Sequence, residues 1–431
     1  MPANSSIMKT GLVGDPATGL KRPGVLAFWA DASPEARRAL VAAGLGWMLD
    51  SFDVMLYALV LAALIGELGM STGTAGLLGS LTLVASAGGG IVFGIIADRY
   101  GRTRALIWSV LIYSVFTAAC GFAQSVAQLA VFRVCLGIGM GGEWASGAAL
   151  VSETWPDRHR GKALGLMQST WAIGYALAAI VTALVLPRWG WRAVFFVGIA
   201  PALLTLWIRR SVPEPEMWRK TRERSAGVRV RFQDLFRGPI GRLTLMVTLM
   251  NACTMFAWWG FNLWIPAYLS LAPERGGIGL STGAMAGLVL AMQTGMWLGY
   301  VTFGFISDAL GRKRTYVAYL AGAALLVLAY GTTRDPRLLL GLGPLVAFFG
   351  TGYFSGFGAV TAEMYPTSIR ATAQGFTYNI GRIASAVAPF AVGSLAATRG
   401  FGAAFTTASV AFALAAVCWI WIPETRGRAL E

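Results

Sequence analysis

Long apolar runs recur along this chain, separated by short segments rich in glycine, arginine and proline. Runs of about 18 or more apolar residues read as transmembrane helices. About twelve are present, over 38–64, 76–97, 103–123, 127–151, 162–186, 191–210, 242–270, 283–307, 314–331, 338–362, 371–396 and 401–422. Each is long enough for a ~30 Å hydrocarbon core. The fold class this predicts is an all-α membrane protein. The pattern is interrupted in its first run, "GWMLDSFDVMLYALVL", where Asp50 and Asp53 stand three residues apart in an apolar setting. Carboxylates at membrane depth are costly and mark functional sites.

The runs repeat. "GIIADRYGRTR" from Gly94 returns as "GFISDALGRKR" from Gly304, and "SETWPDRHRGKALG" returns as "AEMYPTSIRATAQG", both at an offset of 210 residues. Asp98 maps to Asp308, Arg102 to Arg312, Glu153 to Glu363 and Arg160 to Arg370. One offset for both pairs predicts two similar six-helix halves. The expected organisation is an N-terminal tail (1–37), a first half (38–210), a basic linker (211–241), a second half (242–422) and a short tail (423–431).

Composition agrees with a membrane protein. Of 431 residues, 56% are hydrophobic and 13% charged, and the formal net charge is +15; mean hydropathy is +0.61. The positive charge is unlike a nucleic-acid patch because it gathers in alternate loops, around Arg99–Arg104, Arg158–Lys162, Arg209–Arg242, Lys313 and Arg426. That is the positive-inside pattern, and it predicts that both termini and the linker are cytoplasmic in an inner (plasma) membrane. The opposite loops are sparser in arginine, although Arg188, Arg192, Arg334 and Arg337 lie there. The second explanation for the charge is attraction to anionic lipid head groups. The four cysteines have neither metal nor disulfide spacing, and the first ~28 residues lack the apolar core of a signal peptide. No catalytic constellation, phosphate loop or metal cluster is present, so neither an enzyme nor a cofactor is expected.

Two parallel six-helix halves suggest a transporter. The G-x-x-x-D-R-x-G-R-x-R loop, its second copy and the E-x-x-P-x-x-x-R pairs resemble the major facilitator superfamily over roughly residues 38–422. Within it, "LDSFDVMLYALVL" and "GFTYNIGRIAS" resemble the organic acid:proton symporters, and "GEWASGAALVSETWPDRHRGKALGLMQSTWAIG" looks closest to the sialate and lactate branch. The helix 5 stretch "MQSTWAIGY" departs from the fungal lactate carriers, with Trp171 and no acid after Gln168. The resemblance implies that Asp98, Arg102, Glu153 and Arg160, with Asp308, Arg312, Glu363 and Arg370, gate and support the cytoplasmic side by locking the halves together. The alternative is static surface pairs worth ~0–1 kcal/mol each.

Five deep charges have no repeat twin. Asp50, Asp53, Arg133, Glu143 and Arg382 map at 210 to Gly260, Leu263, Gly343, Tyr353 and Ala172. Symmetric gating leaves them to be explained. Buried charges need partners, and the resemblance, in which helices 1 and 4 both line the cavity, implies the pair Asp53 with Arg133. All five ionised give a net charge of −1, and a bound anion would make it −2. Protonating one carboxylate restores balance, which is a reason to couple one proton to one anion. The only histidine, His159, is in a loop, so the proton carrier is a carboxylate: Asp53 first, with Glu143 and Asp50 as alternatives. Gly137, Gly139, Gly141 and Gly142 would allow a close helix approach beside Glu143. A guanidinium at Arg382 offers a fork for a substrate carboxylate, sharing its helix with Tyr378 and Asn379; the alternative is an arginine that bonds helix-breaking carbonyls or pairs with Glu143.

Stripes of polar and aromatic residues suggest a cavity wall: Gln168, Trp171 and Tyr175; Asn251, Trp258 and Asn262; Gln293, Trp297 and Tyr300; Phe349, Tyr353 and Phe357. The favoured expectation is proton-coupled symport of a small monocarboxylate of the lactate or pyruvate type, by a monomer. The alternatives are symport of a bulkier sialic, sugar or aromatic acid, an uncharged-sugar carrier or drug/proton antiporter, and a non-transporting sensor. Arg382 argues against sugar and cationic drug.

Overall fold

The computed structural model is all-helical across the residues it describes, which are 29, 31–214, 235–366 and 369–426. The expected N-terminal tail, most of the linker and the last residues of the C-terminal tail lie outside them. Among the described residues, ten stretches are long and apolar enough to cross a membrane. Two of these, His159–Thr205 and Ala373–Cys418, contain 47 and 46 residues. At 1.5 Å per residue each is about 70 Å long, twice a hydrocarbon core. Each is two helices joined across a kink at a glycine, Gly190 (φ 73°) and Gly400 (φ 79°). Counted as two passes each, the ten stretches make the twelve crossings that the hydrophobic pattern predicts.

The first half contains α1 (Pro34–Glu67), α2 (Thr72–Tyr100), α3 (Arg102–Cys120), α4 (Val126–Thr154), the kinked α5 (Asp157–Val197) and α6 (Ala202–Ser211). The second contains α7 (Gly238–Asn262), α8 (Ile265–Ser270), α9 (Thr282–Leu310), α10 (Arg312–Thr332), α11 (Pro336–Thr351), α12 (Phe354–Met364), α13 (Arg370–Ser385) and the kinked α14 (Ala388–Cys418). Left-handed backbone also repeats at 210: Gly69 with Gly279, Gly101 with Gly311, and Gly190 with Gly400. Such φ values strain any residue with a Cβ, so the turns of the two halves are encoded alike.

Tight glycine contacts hold α4 in the first half. A Cβ on Gly141 would sit 2.0 Å from the Ser86 carbonyl oxygen, one on Gly137 2.4 Å from that of Thr82, and one on Gly139 2.7 Å from the Tyr113 nitrogen. Helix α4 therefore lies backbone to backbone on α2 and α3, as its glycines suggest. On the far end of the bundle from the termini, Arg192 pairs with Glu67, which gives one far-side arginine a structural role.

The halves meet along a seam, closed at that far end. Thr72 Oγ1 donates to the Gly393 carbonyl (2.9 Å), and the Phe390 N–H donates to Ser80 Oγ (3.1 Å). A Cβ on Gly76 would stand 2.3 Å from the Pro389 carbonyl oxygen. Helices of the second half break at this level, between α7 and α8, α11 and α12, and α13 and α14. Their first-half counterparts α1 and α4 run unbroken. Leu263 and Tyr353, at two of these breaks, are the twins of Asp53 and Glu143.

Candidate functional site

Asp50 and Asp53 lie on α1, Arg133 and Glu143 on α4 and Arg382 on α13. All five are buried. The expected Asp53–Arg133 pair does not form. Both Asp53 carboxylate oxygens, and Nε and Nη1 of Arg133, lack hydrogen-bond partners. The Arg133 guanidinium instead covers the Tyr57 ring, with its Cζ 3.7 Å from the centroid, one turn beyond Asp53. A planar guanidinium stacks well on an aromatic face. Arg133 does meet α1, as the family resemblance implied, but one turn away from the Asp53 carboxylate.

The acids nearest the seam are Asp50 and Glu143. Glu143 is seated by Gly46, one turn before Asp50 on α1: a Cβ there would lie 2.5 Å from Glu143 Oε1. Both Glu143 oxygens and Oδ2 of Asp50 are sealed without a donor. Arg382, from the other half, lies within electrostatic reach of both carboxylates without a direct ion pair. Its Nη2 donates across the seam to Ser86 Oγ at 2.6 Å. Arg382 keeps 7% exposure against 1% for Arg133, so of the two deep arginines it is the one that borders open space.

Aromatic side chains flank this group. Trp144, next to Glu143, stacks on Tyr378 across the seam with centroids 4.4 Å apart and planes 7° apart. Trp47 lies 4.8 Å from Trp171, which meets Trp259 edge-on at 6.1 Å. Trp47, Trp144, Trp259 and Ser86 are members of the site that the sequence reading passed over. Trp144 adjoins a chosen acid, and Trp259 sits one position past Trp258 in the same stripe.

The expected cavity wall is only partly brought together. Trp171, Asn262, Gln293, Tyr353, Tyr175 and Tyr300 are buried. Asn262 Nδ2 reaches Met55 Sδ across the seam at 3.6 Å. Asn262 Oδ1, Gln293 Oε1 and the hydroxyls of Tyr353 and Tyr175 are sealed without partners. Gln168, Phe349, Phe357, Tyr378 and Asn379 are half-buried; Asn379 Nδ2 donates to the Gly375 carbonyl of its own helix. Three placements differ from expectation. Trp258 packs inside the second half under Gly350, because one step of helix turns it about 100° from Trp259. Asn251 donates to the Thr377 carbonyl in the same half. Trp297 is 40% exposed on the outer surface of α9.

The mirrored charges sit at the terminus-bearing end. Arg102 Nε and Nη2 reach Glu153 Oε1 at 3.0 and 2.9 Å. Arg312 reaches Glu363 through Nε at 3.3 Å and Nη2 at 3.0 Å, and also contacts Asp308. These pairs run within a half, and so brace each half. Arg160 is half-buried at the start of α5; the side chains of Asp98 and Arg370 lie outside those described. The braces continue into residues read only as linker and tail. Glu214 accepts from the N–H groups of Thr103 and Arg104 (3.0 and 3.1 Å), and Glu424 from those of Arg312 and Lys313 (2.9 and 3.1 Å). The offset of 210 links these two as well and would have found them. Burial alone would raise the Glu424 carboxyl, but the N–H donors of Arg426, Arg312, Lys313 and Thr425 hold it below the usual carboxylate range.

Comparison with known proteins places this geometry. The model of the Major Facilitator Superfamily matches residues 43–301 and again 277–431. The chain is 34% identical to a probable 4-methylmuconolactone transporter of Cupriavidus pinatubonensis, covering 94% of this chain and 95% of the relative. It is 32% identical to a putative niacin/nicotinamide transporter, NiaP, of Bacillus subtilis (92% and 98%), and 30% to the sialic acid transporter NanX of Escherichia coli (90% and 94%). Its fold resembles the partially occluded inward-open conformation of the xylose transporter XylE from E. coli, with a TM-score of 0.73 at 20% identity over 92% of this chain and 100% of that one.

Proposed function

The chain belongs to the major facilitator superfamily, and from that premise we propose that it carries an organic acid bulkier than lactate across the membrane together with a proton. It is a multi-pass membrane transporter and not an enzyme. The observation that carries the proposal is the position of Arg382: it crosses the seam to donate to Ser86 Oγ and lies within electrostatic reach of Asp50 and Glu143 without a direct ion pair to either. A substrate carboxylate would take the free part of the guanidinium fork. Asp50 and Glu143 would then lose the cation that offsets them, and the pair would take up one proton as the halves close. Asp53, whose carboxylate oxygens have no hydrogen-bond partner, serves this pair rather than the substrate.

Proton and anion thus share one guanidinium, which couples them. A proton entering down 100 mV contributes about 2.3 kcal/mol, and the halves rock about the seam. The stacked Trp144 and Tyr378 and the Trp47–Trp171–Trp259 cluster offer ring-sized apolar surfaces. The relatives named for 4-methylmuconolactone, niacin and sialic acid favour that reading over a small monocarboxylate. With the arginine-rich end facing the cytoplasm, the substrate route opens inward there.

The test is uptake into proteoliposomes of sialic acid, an aromatic acid and L-lactate, with and without an inward proton gradient. Gradient-driven uptake of a ring acid, lost in Arg382→Gln, supports the proposal. Lactate uptake with no ring-acid uptake would restore the small-monocarboxylate reading, and gradient-independent transport would remove the proton.

A further inference from the structure

The repeat separates shared scaffold from local chemistry at the terminus-bearing end as well. Glu214 and Glu424 are twins that cap the first turns of α3 and α10, with the donors to Glu424 one position earlier in the repeat than those to Glu214. The side chains around them are not twins. Beside Glu424 lies a cleft of about 350 Å³ lined by Leu310, Gly311, Lys313, Arg314, Glu424 and Arg426. At offset 210, Lys313 corresponds to Thr103 and Arg426 to Glu216, which is outside the described residues; only Arg314 has a basic twin, Arg104. The cleft therefore holds two cations, Lys313 and Arg426, that the repeat does not share.

The two arginines of the cleft are not drawn into local ion pairs among the described residues. Glu424, the one acid in the cleft, already accepts from the N–H groups of Arg312, Lys313, Thr425 and Arg426. Lys313 Nζ donates to the Ile420 carbonyl at 3.2 Å, which draws the ammonium to the C-terminal end of α14. Among the described residues, no ion pair engages the side chains of Arg314 or Arg426. The cleft opens on the outer perimeter of the bundle, where Leu310, Ile420 and Trp421 are 57%, 65% and 46% exposed. A tryptophan beside basic residues at a helix end fits the membrane–water interface.

We propose that this cleft holds the phosphate group of an anionic phospholipid, with its acyl chains along Leu310, Ile420 and Trp421. Arg314 and Arg426 supply planar donors for the phosphodiester, and Lys313 adds a point charge. Inorganic phosphate shares the head-group chemistry but would leave the apolar flank unused. The site is on the perimeter, away from the seam, and does not depend on the identity of the transported acid.

Native mass spectrometry of the full chain in detergent tests it, titrating phosphatidylglycerol against phosphatidylcholine. A basic residue near an anionic lipid surface is worth ~1 kcal/mol, so Arg314→Gln with Arg426→Gln should weaken phosphatidylglycerol binding roughly 30-fold. Phosphatidylcholine retention, unchanged in the double variant, shows that the fold is intact. Arg104→Gln at the twin position should leave phosphatidylglycerol binding as in wild type. Equal loss at Arg104, or no loss in the double variant, overturns the site. Displacement of phosphatidylglycerol by inorganic phosphate at millimolar concentration overturns the lipid assignment in favour of a soluble anion.

Discussion

Gly46→Ala is the sharpest probe of the carboxylate pair. The added Cβ would lie 2.5 Å from Glu143 Oε1 and 3.4 Å from its Cδ. An ordinary carbon contact needs about 3.5 Å, so the carboxyl must withdraw by about 1 Å. It is the end of a flexible side chain, so α1 and α4 keep their spacing. Alanine in a helix interior gains roughly 0.5–1 kcal/mol over glycine, which offsets the local strain and keeps Tm near wild type. The functional effect is far larger, because a 1 Å misplacement of a reacting group costs up to about 100-fold. Gradient-driven uptake should fall at least tenfold, while exchange of substrate across the membrane without a gradient survives. Gly44→Ala is the control: its Cβ would meet only Thr170 Cγ2 at 3.5 Å, an ordinary contact. Wild-type gradient-driven uptake in Gly46→Ala would refute the seating of Glu143 as part of the coupling.

Other perturbations test the seam and the braces. Gly76→Leu cannot coexist with the Pro389 carbonyl 2.3 Å away, so the far end should open; cysteine labelling at the seam of that end should rise, and unchanged labelling would contradict the closed contact. Arg312→Gln removes hydrogen bonds to two carboxylates, each charged bond worth ~1.5–3 kcal/mol where shielded, and should lower Tm clearly more than Arg314→Gln. Asp53→Asn should keep most gradient-driven uptake if Asp50 and Glu143 hold the proton; abolished uptake with intact exchange would return that role to Asp53. The Glu424 carboxyl is held below its ordinary range in the folded chain, so its stabilisation is present above the unfolded pKa of about 4.3 and is lost as pH falls through the lower folded value. The Tm gap between wild type and Glu424→Gln should be constant from pH 8 to 5 and begin to narrow as pH falls through the unfolded value of about 4.3.

What the sequence determined by itself was whatever depends on period and repetition. Apolar run length gives the crossings, because a bilayer sets one length for all of them. The offset of 210 gives the two halves and matches Gly101 to Gly311 and Gly190 to Gly400 in backbone conformation, since a left-handed turn can be written only in a few residues. It also marks the unmirrored charges as the ones to explain, and the glycines of α4 announce its close packing. The tertiary structure decided what depends on a single step of rotation or a single turn of rise. Arg133 meets Tyr57 and not Asp53 because a guanidinium can choose between neighbours one turn apart on α1, and only packing sets the choice. Trp259 and not Trp258 faces Trp171 because adjacent helical residues point about 100° apart. The cross-seam contacts of Arg382 with Ser86 and Trp144 with Tyr378 join residues more than 230 positions apart, and no local pattern along the chain carries that pairing.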